Sequence, residues 1–590
     1  MDFYTSRLHD FSAQLLQLKK KHNTVSIFRF LLAIVFLVLG YYSLQPGDAA
    51  VLYILMFICV ILFFFLMKTH GNISKNKTRA EAIVAINNDE ISYLSGESTP
   101  FGNGAEYIDF KHPYSYDLDI FGDHSLFQNI NRTQTYKGSE TLGALLLKTL
   151  PQEDILRNQE AIQELAAMPE WRQEIMALGR TGNDSRASYS RLIGWSRAKA
   201  AEIPRVTNLI SFISPIAIMG LIIAYFATDN ASLLSYAGYL FSFNIMFFFS
   251  RTKMISLETG GTTEVHSIIE RYSVIIKQIE KQSFTSEKLN SLKSKLVYKD
   301  QSASKHISHL ADLFSRMDTI ANIFAAVVFN GLFLLHIHTL RSLLKWKEEH
   351  AQNIVSWLEV IGEVEALGSL ANLYYNNPDF TFPVLNNDHR INFNNLAHPL
   401  LNRQSRVGND VSFTPDFMIL TGSNMSGKST FLRSLGINMV LAGIGAPVCA
   451  ASADVHPLPV LVSMRLSDSL SDSESYFFAE IKRLKLIMDA LQGQRAFVLL
   501  DEILRGTNSD DKRTGTIEVV KKMIGLRAIG AIATHDIEVC NTTYEYPESL
   551  TNQCFEVQIV DNELYFDYKL REGICKNKSA TFLMEKWGVI

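Results

Sequence analysis

Four stretches of the chain are apolar almost from end to end, without the polar positions that recur every third or fourth residue on a half-buried helix. They run over Val25–Leu44, Val51–Met67, Val206–Ala227 and Ala231–Ser250, and each is close to the roughly 17 to 25 residues that a helix needs to cross hydrocarbon. Arg29 interrupts the first near its start, where its long side chain can reach back to the interface. The stretches pair as hairpins closed by "QPGDAA" and "TDNAS", turns without Lys or Arg. Basic residues gather on the outer flanks instead: Lys19, Lys20, Lys21 and Arg29 before the first hairpin, Lys68, Lys75, Lys77 and Arg79 after it, Arg191, Arg197, Lys199 and Arg205 before the second, Arg251 and Lys253 after it. By the positive-inside rule both termini and everything outside the two turns face the cytoplasm, as in a multi-pass protein of the cell (inner) membrane. The first stretch lacks a small-residue cleavage site and a second span follows at once, so it reads as an anchor rather than a signal peptide. A fifth run, Ala321–Leu340, contains Asn330, His336 and His338, which are costly in lipid, and is predicted as one buried core helix.

Between and after the hairpins the pattern changes. Ile268, Ile269, Tyr272, Ile275, Ile276 and Ile279 fall on one helical stripe. From about Phe417 onward, short apolar runs alternate with helical patterns, as in an α/β domain. The chain is therefore predicted to be multi-domain: helical membrane hairpins, an all-α domain, and a C-terminal α/β domain. Its 590 residues exceed a single core. A formal charge of −4 gives no overall attraction to nucleic acid, and five cysteines without a CxxC pair read as reduced thiols rather than a zinc site or disulfide framework.

The chemistry is concentrated in the α/β part. "FMILTGSNMSGKST" is an apolar strand running into Gly422-x-x-x-x-Gly427-Lys428-Ser429, with a helical stretch behind it. This is a phosphate-cradling loop in its required setting. Backbone N–H groups of Gly422, Ser423, Asn424, Met425, Ser426, Gly427, Lys428, Ser429 and Thr430 are placed to converge on the phosphates of ATP at a helix N-terminus. Lys428 is expected on the β- and γ-phosphates and the Ser429 hydroxyl on Mg²⁺. A second strand, "AFVLLDE", presents Asp501 as the magnesium-organising carboxylate and Glu502 as the base that activates water. A third, "AIGAIATHD", delivers His535 to the same edge, where it can sense or polarise the γ-phosphate.

These residues carry a resemblance. "TGSNMSGKSTFLRSLG", "DEILRGTNSDD" and "ATHD" resemble the ATPase domain of the MutS family of DNA mismatch-repair proteins, whose loop reads TGPNMxGKST and whose acidic strand ends DExGRGT. "HPLL" from His398 is similar to the start of that domain, and "DSESYFFAEIKRLKLIM", Asp472 to Met488, to its STFxxE segment. The resemblance implies that Ser475 reaches the nucleotide of a partner subunit, hence composite sites and a homodimer. It also implies that Arg406 and Val407 lie near the adenine. "DIFGDHSLFQNINRTQTYKGSETLGALLLKTL", with its T-x-T-x-x-G pattern, resembles the start of the family's helical core, and "WLEVIGEVEALGSLANL" the helix that returns from its levers to the ATPase.

The resemblance divides the chain into a cytosolic segment (1–24), a first hairpin (25–67), a linker (68–116), helical core and outgoing lever (117–205), a second hairpin (206–250), returning lever and core (251–385) and the ATPase domain (386–590). Ser423 and Leu504 depart from the family's proline and glycine without removing a reacting group. The F-x-E pattern of mismatch readers is missing before Asp117, and the second hairpin stands where the family inserts its DNA clamp between the levers. The expectation is a membrane-anchored ATPase whose levers move the hairpins in the lipid bilayer. The alternative is a membrane-tethered DNA-binding sensor of mismatches or damage.

Overall fold

The computed structural model describes residues 1–590 apart from 46–49, 183, 260–261, 299–300, 319–322, 466–475, 561–562, 576–581, 583, 585–586, 588 and 590. Its longest elements are the first two helices, α1 (Asp2–Ser43) and α2 (Ala50–Leu94). They lie antiparallel: the His22 and His70 rings sit 4.2 Å apart, Arg29 lies over the Phe63 ring, and Gly40 faces Met56. At about 1.5 Å per residue each is about 60 Å long, twice the roughly 30 Å of a bilayer's hydrocarbon. Residues 1–24 and 68–94, expected as a separate segment and a linker, are therefore continuations of the same two helices. No proline interrupts either of them, so helix propagates through the change from apolar to polar sequence.

The far ends of this pair are fastened to the helical core. The Tyr4 hydroxyl donates to Asn376 Oδ1 (2.8 Å), and Arg7 Nε to Gln173 Oε1 (2.7 Å). Glu90, buried, forms an ion pair with buried Arg132 and accepts from Asn372 (2.9 Å) and Asn376 (3.2 Å).

The core itself comprises α3 (Leu126–Ile130), α4 (Tyr136–Leu145), α5 (Gln152–Ala166), α6 (Pro169–Arg180) and α7 (Arg186–Arg197) on the outgoing side. The second hairpin follows as α8 (Arg205–Thr228) and α9 (Ala231–Thr259). On the return come α10 (Thr262–Lys281), α11 (Glu287–Ser294), the two-residue strands β1 (Val297–Tyr298) and β2 (Gln301–Ser302), α12 (Ala303–Asp318), α13 (Ile323–Phe333), α14 (Leu335–His350) and α15 (Ile354–Asn376). Helices α1, α2, α8 and α9 each contain a window long and apolar enough to cross a membrane.

The lever arms are chains of helices folded onto the core, the outgoing one broken at Met168–Pro169 and Gly182. The stripe Ile268, Ile269, Tyr272, Ile275, Ile276 and Ile279 is buried against them, with the Tyr272 hydroxyl donating to Asp184 (2.7 Å). Glu164 accepts from the backbone of Thr285 (2.6 Å) and Ser286 (2.8 Å), tying outgoing to returning arm.

One expectation is corrected here: the fifth apolar run is not one helix. Residues 321–322 lie outside the described residues, and the rest bends by 81° at Leu334, whose φ is 48°. Asn330 and His336, both fully buried, close this bend: the His336 N–H donates to Asn330 Oδ1 (3.1 Å), and Asn330 Nδ2 lies 2.6 Å from His336 Nδ1. The bend packs on the second hairpin through Asn244, which donates to Gly331 O (3.0 Å) and accepts from Ser214 (2.6 Å).

The T-x-T-x-x-G pattern acquires a physical reason. Thr135 caps α4, its Oγ1 accepting from Gly138 N (3.0 Å), and also donates to Glu365 Oε2 on α15 (2.5 Å). A Cβ on Gly138 would lie 2.0 Å from that same oxygen, so only glycine admits the carboxylate. Burial pushes the Glu365 carboxyl up to about 7, against the pull of the Thr135 hydroxyl and the Gln134 and Thr135 N–H groups. A carboxyl raised in the fold is protonated there after the unfolded chain has ionised, so its contribution to stability falls as pH rises from about 4.5 to about 7. Glu365→Gln removes this titration but strands one of the N–H groups, at about 1–3 kcal/mol. Thermal unfolding against pH should show the variant's deficit shrinking across that interval.

The C-terminal domain holds two sheets. The strands are β3 (Val384–Leu385), β4 (Ile391–Leu396), β5 (Asn409–Ser412), β6 (Phe417–Gly422), β7 (Ser452–Val455), β8 (Val460–Ser463), β9 (Phe497–Asp501), β10 (Ile529–Ala533), β11 (Leu550–Val560) and β12 (Glu563–Glu572). The main sheet has the order β12-β11-β6-β10-β9-β8, parallel except for the β12 edge, and the smaller one β3-β7-β4-β5. Helices α16 (Lys428–Gly443), α17 (Tyr476–Gly493) and α18 (Ser509–Gly525) accompany the main sheet, with the single turns α19 (Ile537–Cys540) and α20 (Thr542–Glu545) before β11. Leu118, at the start of the helical core, seats against Gly436 of α16, where a Cβ would lie 2.6 Å from its Cδ2.

Candidate active site

Strand order and register assemble the site. β6, β10 and β9 are adjacent and parallel, with Leu420 paired to Ala533 and Ala533 to Asp501. The loop after β6, His535 after β10 and the two carboxylates after β9 therefore emerge side by side at the C-terminal edge, where open α/β sheets bind ligands.

Each group is held in a definite way. Lys428, buried at the head of α16, donates to the carbonyls of Gly422 (2.8 Å) and Ser423 (3.0 Å) and lies 3.4 Å from His535 Nε2. Burial lowers its pKa, against the pull of Glu502 and Asp501. The Ser429 hydroxyl donates to Asp501 Oδ2 (2.5 Å). Glu502 stands 2.7 Å from His535 Nε2, and this contact, with Arg505 and Lys428 nearby, holds its carboxyl at about 2. Glu502 occupies the left-handed region (φ 50°), a conformation that costs about 1–2 kcal/mol for an L-residue. Its N–H donates to Ala533 O (3.0 Å) and its carbonyl accepts from Arg505 Nε (2.9 Å), which fixes the turn. Buried Glu480 on α17 accepts from Arg505 N (3.0 Å).

Beside the loop lies a cavity of about 470 Å³. Residues 424–431 form its floor; Leu396, His398, Leu401, Val407, Phe555 and Tyr568 are among its walls. Burial, and then the Arg433 guanidinium, lower the His398 imidazole to about 4, so it is neutral at physiological pH.

Two features of the loop suit a polyanion. Among the described residues the buried hydroxyl oxygens of Ser423 and Ser426 have no partner, and the Lys428 ammonium bonds to backbone carbonyls, with Glu502 and Asp501 near but not in contact. For magnesium, Ser429 and Asp501 are already together. Among the described residues no trio of His, Cys, Asp and Glu gathers elsewhere as a metal cage.

The expected residues thus meet, with two exceptions. Ser475 lies outside the described residues. Arg406, expected near the adenine, turns away: its guanidinium lies over the Phe380 ring and bonds to Leu401 O (2.7 Å), leaving Val407 on the cavity wall. Sequence reasoning missed Tyr568. It comes from the antiparallel edge strand β12 and approaches the loop so closely that a Cβ on Gly427 would lie 3.0 Å from its ring. Asn409 on β5 pins it, donating to Tyr568 O (3.0 Å) and accepting from Leu570 N (2.8 Å).

Comparison with known proteins adds a family to this geometry. A family model described as MutS domain V matches residues 418–585, which contain the loop, the carboxylates and His535. The chain is 28% identical over 241 residues to a DNA mismatch repair protein MutS of Thermotoga maritima, covering 40% of this chain and 30% of that protein. It is 30% identical over 237 residues to the MutS of Clostridium perfringens, covering 38% of this chain and 26% of that one. MutS protein homolog 4 of Homo sapiens is 30% identical over 194 residues, 31% of this chain and 20% of its own length. The matched region thus spans less than a third of each of these relatives.

Proposed function

We propose, from the premise that the chain belongs to the MutS family through its C-terminal domain, that it is a membrane-anchored, magnesium-dependent ATPase. The observation that carries the ATPase reading is the joint placement of Lys428, Ser429, Asp501, Glu502 and His535 at one sheet edge, beside a loop with unsatisfied buried hydroxyls. Bound ATP-Mg²⁺ would supply the phosphoanhydride. The loop N–H groups and Lys428 hold its phosphates, Ser429 and Asp501 hold the metal, and Glu502 takes the proton of the attacking water while His535 orients that carboxylate. Ser475 of a second copy would complete each site, making the working form a homodimer. Apolar helices α1, α2, α8 and α9 support the anchoring, with the catalytic domain and both termini in the cytoplasm. Changes at the nucleotide would pass through the α3–α15 core to the hairpins.

The test is ATP hydrolysis by the full chain in lipid nanodiscs with and without magnesium, together with spin-label distances across the α8–α9 hairpin. Turnover only with magnesium, and distances that differ between ATP-bound and nucleotide-free protein, are expected. No turnover removes the ATPase reading; turnover with fixed hairpins removes the transmission.

A second reading, a membrane-tethered DNA-binding sensor, is favoured by one observation, the mismatch-repair names of the relatives. DNA binding measured over a salt series decides between them, because phosphate contacts give a steep salt slope. The near-neutral chain and the hairpin inserted between the arms support the first reading instead.

Tyr568 offers a further check on the nucleotide assignment. Stacking of a base on an aromatic ring is worth about 1–3 kcal/mol. Tyr568→Ala should therefore weaken ATP binding by about 5- to 100-fold while leaving magnesium dependence intact, as read by titration with a fluorescent ATP analogue.

A further inference from the structure

The first hairpin carries a groove and a charge cluster that ATP hydrolysis does not use. Between α1 and α2 lies an apolar cavity of about 370 Å³, lined by Leu32, Ala33, Phe36, Cys59, Phe63 and Phe64 among others. One turn toward the cytoplasmic end, the Arg29 guanidinium lies over the Phe63 ring, 5.6 Å from its centroid, and its buried Nε has no hydrogen-bond partner. Two turns further, the His22 and His70 rings meet at 4.2 Å, and His70 Nε2 is likewise buried and unpartnered. Burial, and then the charges of His22, Arg29 and Lys77, hold the His70 imidazole below its usual range. Among the described residues none of these four basic groups is paired with a carboxylate; the neighbouring ion pair, Lys19 with Glu81, lies beyond them at 3.8 Å.

We infer that this face of the first hairpin is a binding site for one anionic glycerophospholipid, its phosphate held by Arg29, His22 and His70 and an acyl chain lying in the groove below. The order along the helices is that of the lipid itself. Basic groups stand at the level where the apolar run begins, and an apolar trough follows immediately toward the bilayer centre. The unpaired Arg29 cation, with Lys77 near it and the ring nitrogens of His22 and His70 beside it as hydrogen-bonding groups, favours a negative headgroup over a zwitterionic one, as basic residues beside anionic leaflets do. The Arg29–Phe63 stack orients the guanidinium across the mouth of the trough, so phosphate and chain are selected together.

The inference rests on the anchoring reading above, and the experiment separates the two. The full-length protein, purified in a neutral detergent with equimolar phosphatidylglycerol and phosphatidylcholine, is examined by native mass spectrometry, and its membrane integration by carbonate extraction. Retention of phosphatidylglycerol in preference to phosphatidylcholine is expected. Arg29→Gln should cut that retention by about fivefold, and Ala33→Phe, which fills the trough and leaves every charge in place, should abolish it. Release by carbonate overturns the anchoring itself. Integral protein that retains both lipids equally, or retains phosphatidylglycerol unchanged in Arg29→Gln, overturns the lipid site alone, as does a disulfide between two copies carrying Ala33→Cys, which assigns the trough to a second hairpin.

Discussion

Glu502→Gln should lower ATP turnover by about 10²- to 10⁴-fold, the range expected when a general base is lost, while ATP remains bound. The reasoning is local. The Glu502 carboxyl is held at about 2 by His535, so at neutral pH it is an ionised acceptor aimed at the edge where the loop, Asp501 and His535 converge. Glutamine keeps the volume and can keep the contact with His535, but it cannot take a proton from water. Lys428 and the loop N–H groups are untouched, so nucleotide affinity should change little. Phosphate release measured beside nucleotide binding separates these effects. Unimpaired turnover would remove Glu502 from its assigned role, and lost binding would mean that its charge organises the loop instead. Lys428→Ala is the useful contrast, since it removes the buried cation and should abolish binding itself.

How much of this was readable in the chain follows from how local each signal is. The three strands and their terminal residues were legible because a buried parallel strand is a short apolar run and its functional groups follow directly in sequence: Gly422 onward, Asp501–Glu502, His535. Tyr568 was not, because it reaches the loop only through the register of an edge strand more than a hundred residues downstream of Gly427. The breaks in the lever arms did have a signal, Pro169 and Gly182, but an interrupted helix and a short helical bundle share one apolar periodicity. The bend at Leu334 depends on Asn330 meeting His336, a contact that the apolar run around it conceals. The extension of α1 and α2 beyond the apolar spans was invisible for a different reason. Their far ends dock through a short apolar patch, Ala82, Ile83 and Ile86 against Ala177, set among the polar contacts of Tyr4, Arg7 and Glu90, and so short a patch inside a polar stretch gives little signal.

That docking gives the last prediction: Arg132→Met should destabilise the protein by about 3–5 kcal/mol, as removal of one partner from a buried ion pair does. Glu90 and Arg132 are 1% and 4% exposed, and the guanidinium is sandwiched over the Phe101 ring, with its centroid 3.4 Å away. Without Arg132 the carboxylate's hydrogen bonds among the described residues come from the amides of Asn372 and Asn376, while the nearby Arg172 guanidinium bonds to Asn372 rather than to Glu90, so the buried charge loses its direct counter-ion. Removing both charges in Glu90→Met/Arg132→Met should recover much of the loss, since buried pairs are often replaceable by apolar side chains of similar size. Thermal unfolding of the two single variants and the double gives the coupling energy directly. The position of the pair makes the consequence more than structural. Glu90 lies near the C-terminal end of α2, Arg132 begins the segment that caps α4, and Asn372 and Asn376 end the helix that leads into the C-terminal domain. A spin label on α2 near Glu90 and another on α15 near Asn372 should show one narrow distance in the unmodified chain and a broadened distribution in Arg132→Met, with magnesium-dependent ATP turnover retained. An unchanged distribution would mean that the other contacts, among them Tyr4, Arg7, the Arg79–Glu174 pair and the Ile83–Ile86 patch, hold the first hairpin to the core, and that the ion pair contributes stability without transmitting position.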